Sequence, residues 1–130
     1  MPNTKTYTAF DKILSRYVYG AYLVWGKKLN GSGYVIDSEN INNFVTSAIS
    51  VQSRTSVLFS AYGDSRVGME ELDENMEHVD FWWVKNTDRT VTLKASTKYI
   101  RFGSDNSRYE ITSIKATDTT NDALLFEYKI

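Results

Sequence analysis

The chain has 130 residues, 42% of them hydrophobic and 24% charged, with a formal charge of −1 at neutral pH. That length supports one buried core without staples, and the near-zero charge argues against a general nucleic-acid binder, which carries a basic excess. No cysteine is present, so disulfides, thiolate nucleophiles and cysteine-ligated metals are excluded.

The opening MPNTKTYTAF lacks the apolar stretch of a secretory signal. The longest apolar runs, such as AYLV and FWWV, are too short to cross a bilayer. A protein that stays where it is made, or leaves by another route, is expected. Phe10, Ile13, Leu14, Tyr17 and Val18 then recur at helical spacing, with Thr8 and Asp11 as a capping-box variant and Gly20 as a stop. This predicts a first helix. GAYLVWGKKLNGSGYVI reads as a hairpin, because Asn-Gly favours tight turns with positive φ. A second helix is predicted over DSENINNFVTSAIS, capped by Asp37 or Ser38, with Ile41, Phe44, Val45, Ala48 and Ile49 as its apolar stripe.

From residue 55 the pattern turns to β. TSVLFSAYG is rich in branched and aromatic residues and ends at glycine. In GDSRVGMEELDENME, Met69, Leu72 and Met76 stand at helical spacing, which predicts a short helix with an acidic face. HVDFWWVKN and TVTLKAS alternate as strands, and so does ALLFEYKI after the turn ATDTTND. KYIRFGSDNSRYEITSI reads as strand, turn over residues 103–107, and strand. Alternation places Phe81, Trp83, Leu93, Ile111 and Phe126 on the core face. It leaves Trp82, with Arg101 and Arg108, for the surface or a subunit interface. The expected fold is α+β and mainly antiparallel β. It is a small β-barrel or sandwich in a single domain, with residues 1–54 as a helix–hairpin–helix elaboration on a core formed by residues 55–130.

Candidate chemistry is sparse. His78 is the only histidine, and its neighbours Glu77 and Asp80 include no positioned nucleophile, so it reads as structural. No nucleophile-elbow sequence occurs. The carboxylates Glu70, Glu71, Asp73, Glu74 and Glu77 lack the glycine-centred spacing of an EF-hand loop, and KKLNGSG lacks the ending of a phosphate loop. No catalytic residue, metal or cofactor is expected. Trp82 and Trp83 are adjacent on a strand, point to opposite faces and cannot form one stacking platform. Aromatic residues make up 14% of the chain, nine of them tyrosines, which is a mild sign of assembly.

Residues 55–130 resemble the head–tail adaptor, or head-closure, proteins of tailed bacteriophages. The likeness rests on the strand HVDFWWVKNTDRTV after a variable acidic segment, on KYIRFGSDNSRYEITSIKATD, and on the closing strand LLFEYKI, with RYEITSI its most telling part. That family commonly opens with strands, where this chain reads as helices. The resemblance implies a structural virion protein without catalytic residues that assembles as a homo-oligomeric ring, commonly dodecameric. Such a ring meets portal and tail proteins, lies in the virion and in host cytoplasm during assembly, and has no membrane partner. DNA passes through its lumen without sequence-specific binding. Residues 63–77 match the segment that projects into the channel in relatives, so Glu70, Glu71, Asp73, Glu74 and Glu77 become the expected channel lining. Two other readings stand beside it. One is a monomeric binding module or phage-encoded inhibitor that presents Trp25 or Trp82 to a ligand or host protein. The other is a small enzyme with an α+β core and a pocket.

Overall fold

A computed structural model describes residues 16–40, 42–52, 55–105 and 111–130. Among them there is no helix, and the architecture is antiparallel β throughout. Thirteen strands are formed: β1 (Tyr17–Tyr19), β2 (Leu23–Trp25), β3 (Lys27–Leu29), β4 (Val35–Asp37), β5 (Phe44–Thr46), β6 (Ile49–Ser50), β7 (Ser56–Gly63), β8 (Val67–Leu72), β9 (His78–Val84), β10 (Thr87–Thr92), β11 (Tyr99–Ser104), β12 (Ile111–Asp118) and β13 (Ala123–Lys129). One sheet runs β1-β13-β12-β7-β10. A second runs β2-β5-β11-β8-β9, with β6 also paired to β11, and β3-β4 is a separate hairpin.

The two large sheets face each other across a core that their alternation dictates. Val57, Phe59 and Ala61 of β7 are buried while Leu58 and Tyr62 on the other face are exposed, as period two requires. From the facing sheet come Val67, Met69, Ile100 and Phe102. Aromatic rings bridge the gap. Phe102 has its centroid 5.0 Å from that of Phe59 and 5.2 Å from that of Phe126, and Phe44 meets Tyr128 at 5.1 Å. Leu93, Ile111 and Phe126 are buried as the sequence pattern predicts.

Neither predicted helix appears among the described residues. Phe10, Ile13, Leu14, Thr8, Asp11 and Ile41 lie outside the described residues, but Tyr17 and Val18 form β1, paired with Lys129 and Tyr128. Phe44, Val45 and Ile49 form β5 and β6. All three residues of β5 are buried, because it has neighbours on both faces, so no alternation is left to betray a strand. Of the described strands before residue 52, β1 joins the first sheet and β2, β5 and β6 join the second. β5 and β11 meet at one ladder pair, Gly103 with Val45, and hydroxyls extend the seam. Thr46 Oγ1 accepts from the Phe102 amide at 3.0 Å, and Ser104 Oγ accepts from the Phe44 amide at 3.0 Å. Gly103, expected to begin a turn, lies inside β11.

The short acidic helix is also absent. Residues 67–72 are β8, and Asp73 then builds a turn: its Oδ1 accepts from the amides of Asn75 at 2.8 Å and Glu77 at 3.0 Å, with Met76 at φ 64°. β13 keeps its predicted strand but slips at a bulge. Ala116 pairs with Phe126 and Thr117 with Leu124, so Leu125 is extra and turns toward the core.

The hairpin β3-β4 covers the outer face of the second sheet. Leu29 is fully buried there, above Gly68 and Gly103; a Cβ on Gly68 would stand 2.6 Å from its Cδ1, and one on Gly103 2.7 Å from its Cγ. At the hairpin tip Gly33, at φ +81°, lies against the Phe81 ring. This cover reverses the expected faces of β9. Trp82 lies opposite Met69 and packs against the core between the sheets, whereas Trp83 and Phe81 point to the hairpin side, opposite Gly68 and Glu70.

Candidate functional site

Glu70 and Glu71 stand next to each other in β8 and are both buried, at 1% and 0% exposure. Being consecutive on a strand, they point to opposite faces. Glu71 lies on the core side. Its Oε2 accepts from the Trp82 indole Nε1 at 2.6 Å, and its Oε1 accepts from the Lys94 amide at 2.9 Å and the Thr97 hydroxyl at 2.6 Å. This carboxylate fixes the chain after β10 and orients Trp82. Its bonding capacity is spent on the fold.

Glu70 lies on the hairpin side, where Arg101 stands directly across the β8–β11 ladder. Arg101 Nε donates to Glu70 Oε1 at 2.6 Å, and His78 Nδ1 lies 2.7 Å from Glu70 Oε2. The Tyr34 ring, carried by the hairpin, stacks on His78 at 3.9 Å, and Phe81 flanks it at 5.9 Å. A charged cluster is thus roofed by aromatic rings. His78 is engaged by Glu70 and Tyr34, and no nucleophile joins them among the described residues.

Beside this cluster opens a cleft of about 540 Å³, lined by Tyr22, Val24, Lys27, Val35, Met76 and Arg101 among others. Lys27 is tied across the hairpin to Asp37, which holds the Asp37 carboxyl below the usual aspartate range. On the far side of β9, Lys94 Nζ lies 3.0 Å from Asp80 Oδ2, and that contact raises the lysine above its usual range.

Each tryptophan carries an arginine over its ring: Arg16 at 4.5 Å from Trp25, Arg89 at 4.9 Å from Trp82 and Arg66 at 3.9 Å from Trp83. The indoles expected to face a ligand or a partner are therefore covered on one side. The large aromatics most exposed to solvent are tyrosines: Tyr17, Tyr19, Tyr22, Tyr34 and Tyr62. Of the expected interface residues, Trp82 is packed on the core, Arg101 is held by Glu70, and Arg108 lies outside the described residues. Of the expected channel lining, Glu74 and Glu77 are exposed on the β8–β9 turn and Asp73 is half-buried, whereas Glu70 and Glu71 are enclosed within the protomer.

The pairing of Glu70 with Arg101 escaped the sequence pattern. Opposite charges 31 residues apart become neighbours only once the register of β8 on β11 is known. Among the described residues, no group of three or more histidine, aspartate or glutamate side chains is placed to hold a metal ion. No helix there is long and apolar enough to cross a membrane. No family model, curated protein or solved structure matches the chain.

Proposed function

We propose that this chain is a structural virion protein of the head–tail connector type, a ring subunit that joins a phage head to its tail and helps retain DNA. The observation that carries this reading is the open edge of the first sheet. Among the described residues, β1 pairs on one side only, with β13, and its three residues are all exposed and uncharged: Tyr17 at 44%, Val18 at 37% and Tyr19 at 47%. Edge strands in monomers are commonly blunted by charge, proline or a bulge, and an unblunted edge is a template for another chain. Tyrosine suits such a contact, being enriched at interfaces.

Two further points support the reading. The sequence resemblance over residues 55–130 is one, and the antiparallel strands over the described part of those residues are compatible with it. The β8–β9 turn, with Glu74 and Glu77 exposed, is the part of the acidic segment that remains free to face a lumen. Negative side chains there would let DNA pass without adhering, the reverse of the attraction used by basic binding proteins.

Light scattering coupled to gel filtration, followed by electron microscopy of the assembled fraction, tests the proposal. Closed rings of one stoichiometry are expected, and V18K, which places a charge on the open edge, should return the protein to monomers. A strict monomer at every concentration would overturn the ring and leave the monomeric binding module in its place.

A further inference from the structure

The cleft beside the Glu70–Arg101 pair has a composition that selects its occupant. We propose that it binds a carboxylate carried on an apolar stem, with Arg101 as the residue that recognises the acid group. This inference is independent of the ring.

The argument begins at Glu70. A fully buried carboxylate holds Arg101 by the Nε edge of its guanidinium, at 2.6 Å. His78 occupies the other carboxylate oxygen. Arg101 itself keeps 26% of its side chain exposed and forms part of the cleft wall. Its two terminal amino groups have no partner among the described residues. A guanidinium is rigid and planar, and with one edge anchored it presents the remaining donors at a fixed angle, the geometry that suits a bidentate carboxylate.

The rest of the lining is apolar rather than hydrogen-bonding. Val24, Val35, Val45 and Met76 form the walls, and Tyr22, 69% exposed, stands among them. Two of the lining hydroxyls already accept bonds within the fold, Ser47 Oγ from the Tyr22 amide and Thr46 Oγ1 from the Phe102 amide. Few donors and acceptors remain for a polyhydroxylated ligand. The remaining cation, Lys27, adds positive potential to the same cleft although it is shared with Asp37. A volume of about 540 Å³ lies within the range of small-molecule sites. Such a group is carried by a free aliphatic acid or by the terminal residue of a peptide, and the cleft chemistry is common to both.

The test is a titration of the full chain followed by NMR at the Met76 methyl and the Arg101 side chain, with hexanoate, N-acetyl-leucine and the uncharged N-acetyl-leucinamide as probes. Saturable shifts are expected with hexanoate, with N-acetyl-leucine or with both, the pattern naming the source. The amide should bind at least about tenfold more weakly, the scale of one charge-assisted hydrogen bond. Because R101M alone strands a buried carboxylate, the binding variant is E70Q/R101M, which should lose the acid, while R101K should weaken it. Tyr22 is exposed, so Y22A should remain folded and bind less tightly. Equal binding of acid and amide, unchanged acid binding by E70Q/R101M, or no saturable shift with either acid would overturn the proposal.

Discussion

Glu70 Oε1 and Arg101 Nε lie 2.6 Å apart across a ladder between two central strands, with the carboxylate 1% exposed and the guanidinium 26%. A pair so placed is costly to break and cheap to replace. R101M should destabilise the protein by about 3–5 kcal/mol because Glu70 stays buried without its principal partner. Replacing both with apolar residues of similar volume, E70L/R101M, should recover most of that loss. A double-mutant cycle by chemical denaturation checks it, and additive single losses would show that the pair is not coupled.

Glu71 should be still less replaceable. In E71A the Trp82 indole, the Lys94 amide and the Thr97 hydroxyl lose their acceptor together. Unsatisfied buried groups cost about 1–3 kcal/mol each, so a loss of about 3 kcal/mol or more is expected. The Trp82 fluorescence spectrum should shift with it. An unchanged denaturation midpoint would mean that water replaces the carboxylate at no cost.

Phe102 sits at the centre of the aromatic bridge between the sheets, and F102A should cost about 3–5 kcal/mol. On the opposite side of the same strand, G103A introduces a methyl group 2.7 Å from Leu29 Cγ and 2.9 Å from Val45 Cγ1. Overpacking of that kind costs about 1–3 kcal/mol. The two substitutions differ in a further readout: G103A should loosen the hairpin, seen in Leu29 methyl shifts, and F102A should not.

The Lys27–Asp37 contact links the ends of the β3-β4 hairpin. Lys27 lowers the Asp37 pKa, so the contact favours the folded state above the ordinary aspartate range and its contribution disappears as pH falls through the depressed folded value. Both side chains are exposed, so salt should weaken the effect. A carboxyl titration by NMR should place Asp37 below free aspartate in the wild type and return it toward the ordinary range in K27M.

The strands after residue 55 were legible because their alternation survives wherever one face meets solvent, as in β7. The failures cluster where both faces are covered. β5 presents three buried residues in a row, and its Phe44, Val45 and Ile49 fit a helical stripe as readily as two short strands. The pattern reverses the faces of Trp82 and Trp83 for the same reason: with a core on one side of β9 and a hairpin on the other, six of its seven residues are half-buried. The carboxylates of β8 read as the acidic face of a short helix because no local signal distinguishes a buried, partnered glutamate from a free one. The β3-β4 hairpin was legible from its glycine-rich tip, but the turn is wider than an Asn-Gly pair: Asn30 Oδ1 accepts from the Ser32 and Tyr34 amides, and the positive φ falls at Gly33.

The hairpin over β8 and β11 leaves the molecule with two unequal halves. The sheet bearing β1 has water on its outer side, and its amides should open in small local excursions. The sheet under Leu29 is covered on both sides where Gly68 and Gly103 meet the hairpin, so its amides there must wait either for the hairpin to lift or for the whole fold to come apart. Hydrogen exchange should therefore divide the protein into a fast layer and a slow one. The boundary would not follow chain order, because the early strands β2 and β5 belong to the slow layer and the late strand β13 to the fast one. A segment made first during synthesis is thus protected only after residues far downstream have arrived to cover it.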